Sequence, residues 1–156
     1  LALPSSGVHT NGYSLVHAAF KLEEDPSSLA TYHSKLGRTL GEALLEPHRS
    51  YYPLLDPVLS MIKTIAHITG GGLRRNLARV MPQGLEGRIE PASWEVPAIF
   101  HLIQESGDIA LEEMESVFNM GVGMVMVCAP NQVSEVRRLV PETWVIGEVV
   151  KAHRVP

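Results

Sequence analysis

The chain carries one cysteine, Cys128, in 156 residues. One thiol forms no disulfide within the chain, so a stapled secretory scaffold is excluded, and a reducing, cytoplasmic setting is the expectation. Cys128 lies in an apolar run and reads as a buried, inert core thiol. Long hydrophobic stretches are missing too: no run approaches the ~20 residues that a helix needs to cross a bilayer. No basic region precedes Leu1-Ala2-Leu3-Pro4, so the start is not a signal peptide. It reads as a strand entered partway, and the expectation is a piece of a longer polypeptide. The net charge is −4 with no basic stripe, which argues against a nucleic-acid partner. Internal repeats, low-complexity segments and heptads are lacking. At 156 residues the chain has the length of one domain, enough to bury roughly two-thirds of its unfolded surface.

What is present is glycine in unusual places. Ile65-Ala66-His67-Ile68 is an apolar run holding a histidine, and it breaks into Gly70-Gly71-Gly72 before a helical pattern resumes at Leu73. Consecutive glycines carry an entropic cost and need a reason. A strand-to-helix turn supplies one, because bare backbone N–H groups and a helix N-terminus together attract an anion. Leu73, Leu77, Val80 and Met81 line that helix, with Arg74, Arg75 and Arg79 on its solvated side. The first twenty residues hold no Asp, Glu, Lys or Arg, yet contain the hydroxyl-rich loop Pro4-Ser5-Ser6-Gly7-Val8-His9-Thr10-Asn11-Gly12. Leu15, Val16, Ala19 and Phe20 follow at helical spacing, so this loop is a second candidate anion cradle. A third glycine loop, Asn119-Met120-Gly121-Val122-Gly123, leads into the unalternating run Met124 to Cys128. Such a run suits a strand covered on both faces.

Further helices are expected from an N-cap at Thr39, across Val96 to Gly107 with Pro97 in the first turn, from Leu111 to Phe118, and after Pro130. Short strands are expected at Gly87 to Glu90 and Trp144 to Val150. Glu23 to Arg38 reads as surface loop, and the tail to Pro156 as loose. Strands and helices interleave, which gives an α/β fold: a layered mixed sheet flanked by helices.

Open α/β sheets bind ligands at strand ends, so the three glycine loops are expected to converge on one crevice. Two of them bring a histidine, His9 and His67. Two histidines without a third ligand at sensible spacing do not make a metal site, and none is assigned. Proton transfer, or hydrogen bonding to a developing charge, suits them better. His17, His33, His48, His101 and His153 belong to no motif and read as surface or core residues. Arg49 is a lone cation beside Tyr51 and Tyr52. A Walker P-loop ending and a nucleophile elbow are both absent.

Five segments fall in a familiar order: Pro4 to Leu15, Leu44-Leu45-Glu46-Pro47-His48-Arg49, His67 to Gly72, Phe118 to Gly123, and Trp144-Val145-Ile146-Gly147. Together they resemble the C-terminal half of the phosphoribosylformylglycinamidine cyclo-ligases, also called aminoimidazole ribonucleotide synthetases. Thr10 stands where that family usually has serine, and His48 where it usually has threonine. The resemblance implies that residues 1–156 form one C-terminal synthetase-type domain, with the N-terminal ATP-binding half outside this chain. It implies an enzyme of purine biosynthesis that uses ATP and Mg2+ to activate the formyl amide oxygen of formylglycinamidine ribonucleotide, after which a nitrogen closes the imidazole ring. Most nucleotide and magnesium ligands, and a homodimer interface, would belong to the other half, leaving this half inactive alone. His9 and His67 would lie nearest the reacting amide. Ser5, Ser6, Asn11, Thr69, Gly70, Gly71 and Gly72 would hold phosphate or ribose, with Asn119, Gly121 and Gly123 lining the wall. Two alternatives stay open: another ATP-dependent synthetase of the same superfamily, and a non-catalytic ligand-binding module.

Overall fold

A computed structural model describes residues 1–152; His153 and the tail to Pro156 lie outside the described residues. The elements run β1 (Ala2–Pro4), α1 (Tyr13–Phe20), β2 (Tyr32–His33), β3 (Arg38–Thr39), α2 (Leu40–Leu44), α3 (Tyr52–Leu55), β4 (Ile62–His67), α4 (Gly72–Val80), β5 (Leu85–Ile89), α5 (Ala98–Gly107), α6 (Leu111–Val117), β6 (Val122–Cys128), α7 (Val133–Leu139) and β7 (Gly147–Lys151). This is the expected α/β alternation. The described strand pairs are all antiparallel, however, and they divide among three sheets instead of one.

The principal sheet has the order β1-β6-β4. Its middle strand, β6, is buried along Val122 to Met126, as an unalternating apolar sequence requires. The two faces of the sheet carry different layers. Leu3, Met124 and Met126 pack with Tyr51, Leu55, Val58, Val136 and Val140, from α3, the 3-10 turn Asp56–Met61 and α7. Ala2, Ala66 and Val125 pack with Ile68, Leu77 and Ile146, beneath α4 and the β5–β7 ribbon. A third cluster joins α1, α2, α5 and α6 around Phe100 and Phe118, both fully buried with ring centroids 5.9 Å apart. Each such burial contributes about 1.5–3 kcal/mol.

Local chemistry explains the element ends. Thr39 caps α2 in a capping box, its hydroxyl accepting from Glu42 N while the Glu42 carboxylate accepts from Thr39 N. Pro97 sits one residue earlier than expected, as the N-cap of α5. Glu23 to Arg38 is not all loop, because Tyr32–His33 and Arg38–Thr39 form a two-residue ladder. The expected last strand splits. Trp144 bridges Ala2 on the principal sheet, and the chain then crosses to pair Gly147–Lys151 with β5. Gly147 permits that crossing, since a Cβ there would overlap the Arg88 carbonyl. Cys128 is only partly buried, at the open end of β6.

Candidate active site

Strands β1 and β4 run the same way on either side of an opposed β6. The chain therefore leaves β1, leaves β4 and enters β6 at a single edge of the sheet. The three glycine loops converge there because strand direction gives them no other place. Backbone bonds lock them together: Ser5 N donates to Gly121 O at 2.9 Å, and Ile68 N to Gly123 O at 3.0 Å. Asn119, buried at 3% exposure, completes the lock. Its amide donates to Gly7 O at 2.9 Å, and its Oδ1 accepts from Gly121 N at 2.8 Å. Asn119 thus ties two loops to each other, and its polar atoms face backbone.

Two helices start from this edge. Both have a glycine N-cap in the left-handed region, Gly12 at φ 79° and Gly71 at φ 101°, and neither cap offers a side-chain acceptor to the first N–H groups. Helix N-termini left in that state carry partial positive charge toward whatever lies in front of them. Asn76, buried inside α4, fixes the triple-glycine turn by donating to Gly72 O at 2.8 Å and Thr69 O at 3.1 Å. The turn's carbonyls are held by this amide, the Gly72 N–H donates to Thr69 O at 3.1 Å, and the Gly70 and Gly71 N–H groups are left for other uses. Asn11 reaches across from the first loop, its Oδ1 3.3 Å from where a Cβ on Gly70 would stand.

Beside these turns lies a stack of imidazoles. His9 (φ 62°) is buried at 4% exposure and lies flat on His48, with centroids 3.9 Å apart and ring planes 9° from parallel. His48 in turn meets His67, Nε2 to Nε2 at 3.2 Å. The Tyr51 ring stands edge-on to His9 and His48, its hydroxyl donating to Pro4 O at 2.8 Å. Burial pushes the Tyr51 phenol up to about 12, and Arg49, its guanidinium 5.4 Å from the ring centroid, acts weakly against that. Arg49 forks onto Glu142 at 2.7 and 2.9 Å, so its charge is balanced.

Burial, helped by His48, His67 and Arg49, pushes His9 down from 6.5 to about 4, so the ring is neutral at pH 7. Its Nε2 accepts from Ser6 N at 3.1 Å. The proton of the neutral ring is therefore on Nδ1, a buried atom with no hydrogen-bond partner. The Ser5 hydroxyl is buried without a partner as well. Two buried polar groups in one loop thus have no protein partner, a lining that suits an anion. His67 is shifted down by burial and by His48, and is also neutral at pH 7.

The sheet edge therefore gathers His9, His67, Ser5, Ser6, Asn11, Thr69 to Gly72, Asn119, Gly121 and Gly123 in one region. Their tasks differ. Ser6 is occupied in positioning: its hydroxyl donates to Pro47 O at 2.7 Å and accepts from Arg49 N at 3.3 Å, which draws His48 over His9. Gly123 lies directly under Tyr51 and 3.1 Å from His9 Cε1, measured from where a Cβ would be. Arg75, expected on the solvated side of α4, bends its methylenes to 3.0 Å from the same construction at Gly71. His48 and Asn76 escaped the sequence reading. Asn76 had a usable signal: asparagine is a poor helix former, and one placed among the apolar positions of α4 wants a hydrogen-bonding reason.

Fold and site define an α/β domain that gathers uncapped helix N-termini, unpartnered buried donors and a cluster of imidazoles at one edge of its sheet. The chain belongs to the family described as AIR synthase related protein, C-terminal domain, which matches residues 1–155. It is 45% identical over 162 residues to a phosphoribosylformylglycinamidine cyclo-ligase of Caldicellulosiruptor bescii, covering 98% of this chain and 47% of that protein. Proteins of the same name from Pseudothermotoga lettingae (45% over 161 residues; 99% of this chain, 46% of the relative) and Geobacillus thermodenitrificans (44% over 161 residues; 99% and 46%) are similar throughout. The chain spans about half the length of the curated relatives it matches.

Proposed function

We propose that this chain is the C-terminal half of a phosphoribosylformylglycinamidine cyclo-ligase, contributing to the ATP-dependent ring closure of formylglycinamidine ribonucleotide to aminoimidazole ribonucleotide. The observation that carries the reading is the gathering of His9, His67 and two glycine-capped helix N-termini at one sheet edge, in a chain similar over its whole length to proteins of that name.

A substrate phosphate fits the donors available: the N–H groups of Gly70, Gly71 and Leu73 and the Ser5 hydroxyl. ATP, when bound, supplies the phosphoryl group that turns an amide oxygen into a leaving group. The chain's own residues then have two tasks. His9, locked as a neutral Nδ1–H donor, stabilises negative charge growing on oxygen. The more accessible His48–His67 pair takes the proton that the attacking nitrogen must lose, His67 receiving it and His48 sharing it through their 3.2 Å contact. Magnesium does not suit these residues. It wants oxygen ligands, whereas the group of metal-capable side chains that converges among the described residues is imidazole. No step is assigned to magnesium on this half.

The relatives' greater length supports a second half that supplies the rest of the catalytic crevice. The same resemblance carries the expectation of a homodimeric, cytoplasmic enzyme. Among the described residues no helix is long and apolar enough to cross a membrane. The test is reconstitution with an N-terminal half and a ring-closure assay. Activity is expected only with both halves, and His67→Gln is expected to lower kcat by about 10²–10⁴-fold. Ring closure by the 156-residue chain alone, or full activity in His67→Gln, contradicts the proposal.

A further inference from the structure

The geometry points to a site for a zinc-type transition-metal cation on the three imidazoles of His9, His48 and His67. One ring nitrogen from each lies within 4.8 Å of the other two. The three come from separate parts of the chain: the loop after β1, the segment after Pro47 and the end of β4. Imidazole suits zinc, copper and nickel better than it suits magnesium or calcium. The site does not depend on the ring-closure reading.

The His48–His67 pair is nearly in place. A tetrahedral zinc held at 2.0–2.1 Å from nitrogen sets its ligand nitrogens about 3.3 Å apart. The two Nε2 atoms are already 3.2 Å apart, and their rings are tilted by 50°, so both lone pairs can meet one point between them. In the metal-free chain a single N–H occupies that point. On binding, the ring that carries this hydrogen shifts it to its own Nδ1, so both Nε2 lone pairs are free for the cation.

His9 needs a rearrangement. Its ring is parallel to His48, and a metal lies in the plane of each imidazole that binds it, so the stacked pair cannot share a cation as it stands. The His9 ring must swing out of the stack and give up the Ser6 N–H for the metal. Its buried Nδ1–H then turns outward, which removes the unpartnered donor. The charges around the site permit this. The nearby cation, Arg49, is neutralised by Glu142, and the Tyr51 hydroxyl is committed to Pro4 O. A fourth position remains open on the accessible side of His48 and His67 for water or an anion.

Titration of the full chain with ZnCl2 by calorimetry, and with CoCl2 by visible absorption, tests the site. One cation per chain is expected, and cobalt should give the intense d–d bands of tetrahedral coordination. His48→Gln and His67→Gln should each weaken zinc binding about tenfold or more, while a surface control, His101→Gln, leaves it unchanged. His9→Asn should keep a weaker two-imidazole site and lose the tetrahedral cobalt spectrum. Circular dichroism on every variant separates misfolding from loss of a ligand. Absence of zinc uptake by a folded chain overturns the inference, and so does undiminished uptake in folded His48→Gln. Ring-closure activity enters none of these readouts, so failure here and failure of the proposed function are distinguishable.

Discussion

The imidazole of His9 lies flat against that of His48 at a centroid separation of 3.9 Å, with the inner ring buried and the outer one accessible. A protonated His9 would face the rings of His48 and His67 and the Arg49 guanidinium, with burial stripping away its water. Burial in the stack therefore favours the neutral form of His9. In the unfolded chain His9 takes up a proton near 6.5, whereas in the fold it does so only near 4. Above 6.5 the group contributes nothing to the pH dependence of stability. As pH falls from 6.5 toward 4 the unfolded state gains the proton first, so stability is lost across that window. The loss expected from this histidine is roughly 2–4 kcal/mol by pH 4, with His67 adding in the same direction. Urea unfolding at stepped pH measures it. His9→Asn, a residue that tolerates the left-handed backbone at this position, should flatten the slope. An unchanged slope in that variant contradicts the assignment.

Gly123 is a glycine because Tyr51 and His9 rest on it. A methyl group there overlaps the Tyr51 hydroxyl, and the Tyr51 Cζ would be 2.7 Å from it. Gly123→Ala is expected to cost about 1–3 kcal/mol, the usual range for forcing a methylene into a packed interior. Tyr51→Phe removes the overlapping oxygen together with its bond to Pro4 O. The double variant should therefore be less destabilised than the sum of the singles, by about 0.5 kcal/mol or more. Strict additivity in thermal or urea unfolding would show that the two do not touch.

Asn119 is expected to matter for stability and for anion binding at once. Asn119→Ala strands Gly7 O and Gly121 N, both inside the protein, and should cost about 2–3 kcal/mol. Because it frees the first loop from the turn before β6, it should also weaken binding of the substrate ribonucleotide. Calorimetry on the folded variant checks the second effect. Full-strength binding there would mean that Asn119 holds the fold and leaves the glycine loops' binding face unaffected.

Much of the site could be read from local chemistry, since glycine placement, helix starts and an unalternating strand are all written in short stretches. Thr39 with Glu42 announces the start of α2, and Met124 to Cys128 announces a strand covered on both sides. Convergence of the glycine loops was legible too, once strand ends were taken as the place where ligands bind. His48 was not legible. Nothing in its spacing links it to His9 or His67, and its place is fixed by the Ser6 hydroxyl bridging Pro47 O and Arg49 N, a contact between segments about forty residues apart. The split of the last strand was hidden for a related reason. Trp144 and Gly147 pair with different partners, Ala2 and Ile89, and an apolar run carries no mark of which sheet each residue will join.

An apolar hollow lies elsewhere, a cavity of about 800 Å³ lined by Leu77, Val80, Met81, Ile89 and Val145. That gives the central claim a sharp alternative. Amide chemical-shift mapping during titration with formylglycinamidine ribonucleotide decides between the two. The shifts are expected to concentrate at Ser5 to Asn11 and Thr69 to Leu73, with the His9 and His67 ring signals moving alongside them. Shifts confined to Val80, Met81 and Val145, with the glycine loops and both imidazoles unmoved, would contradict it.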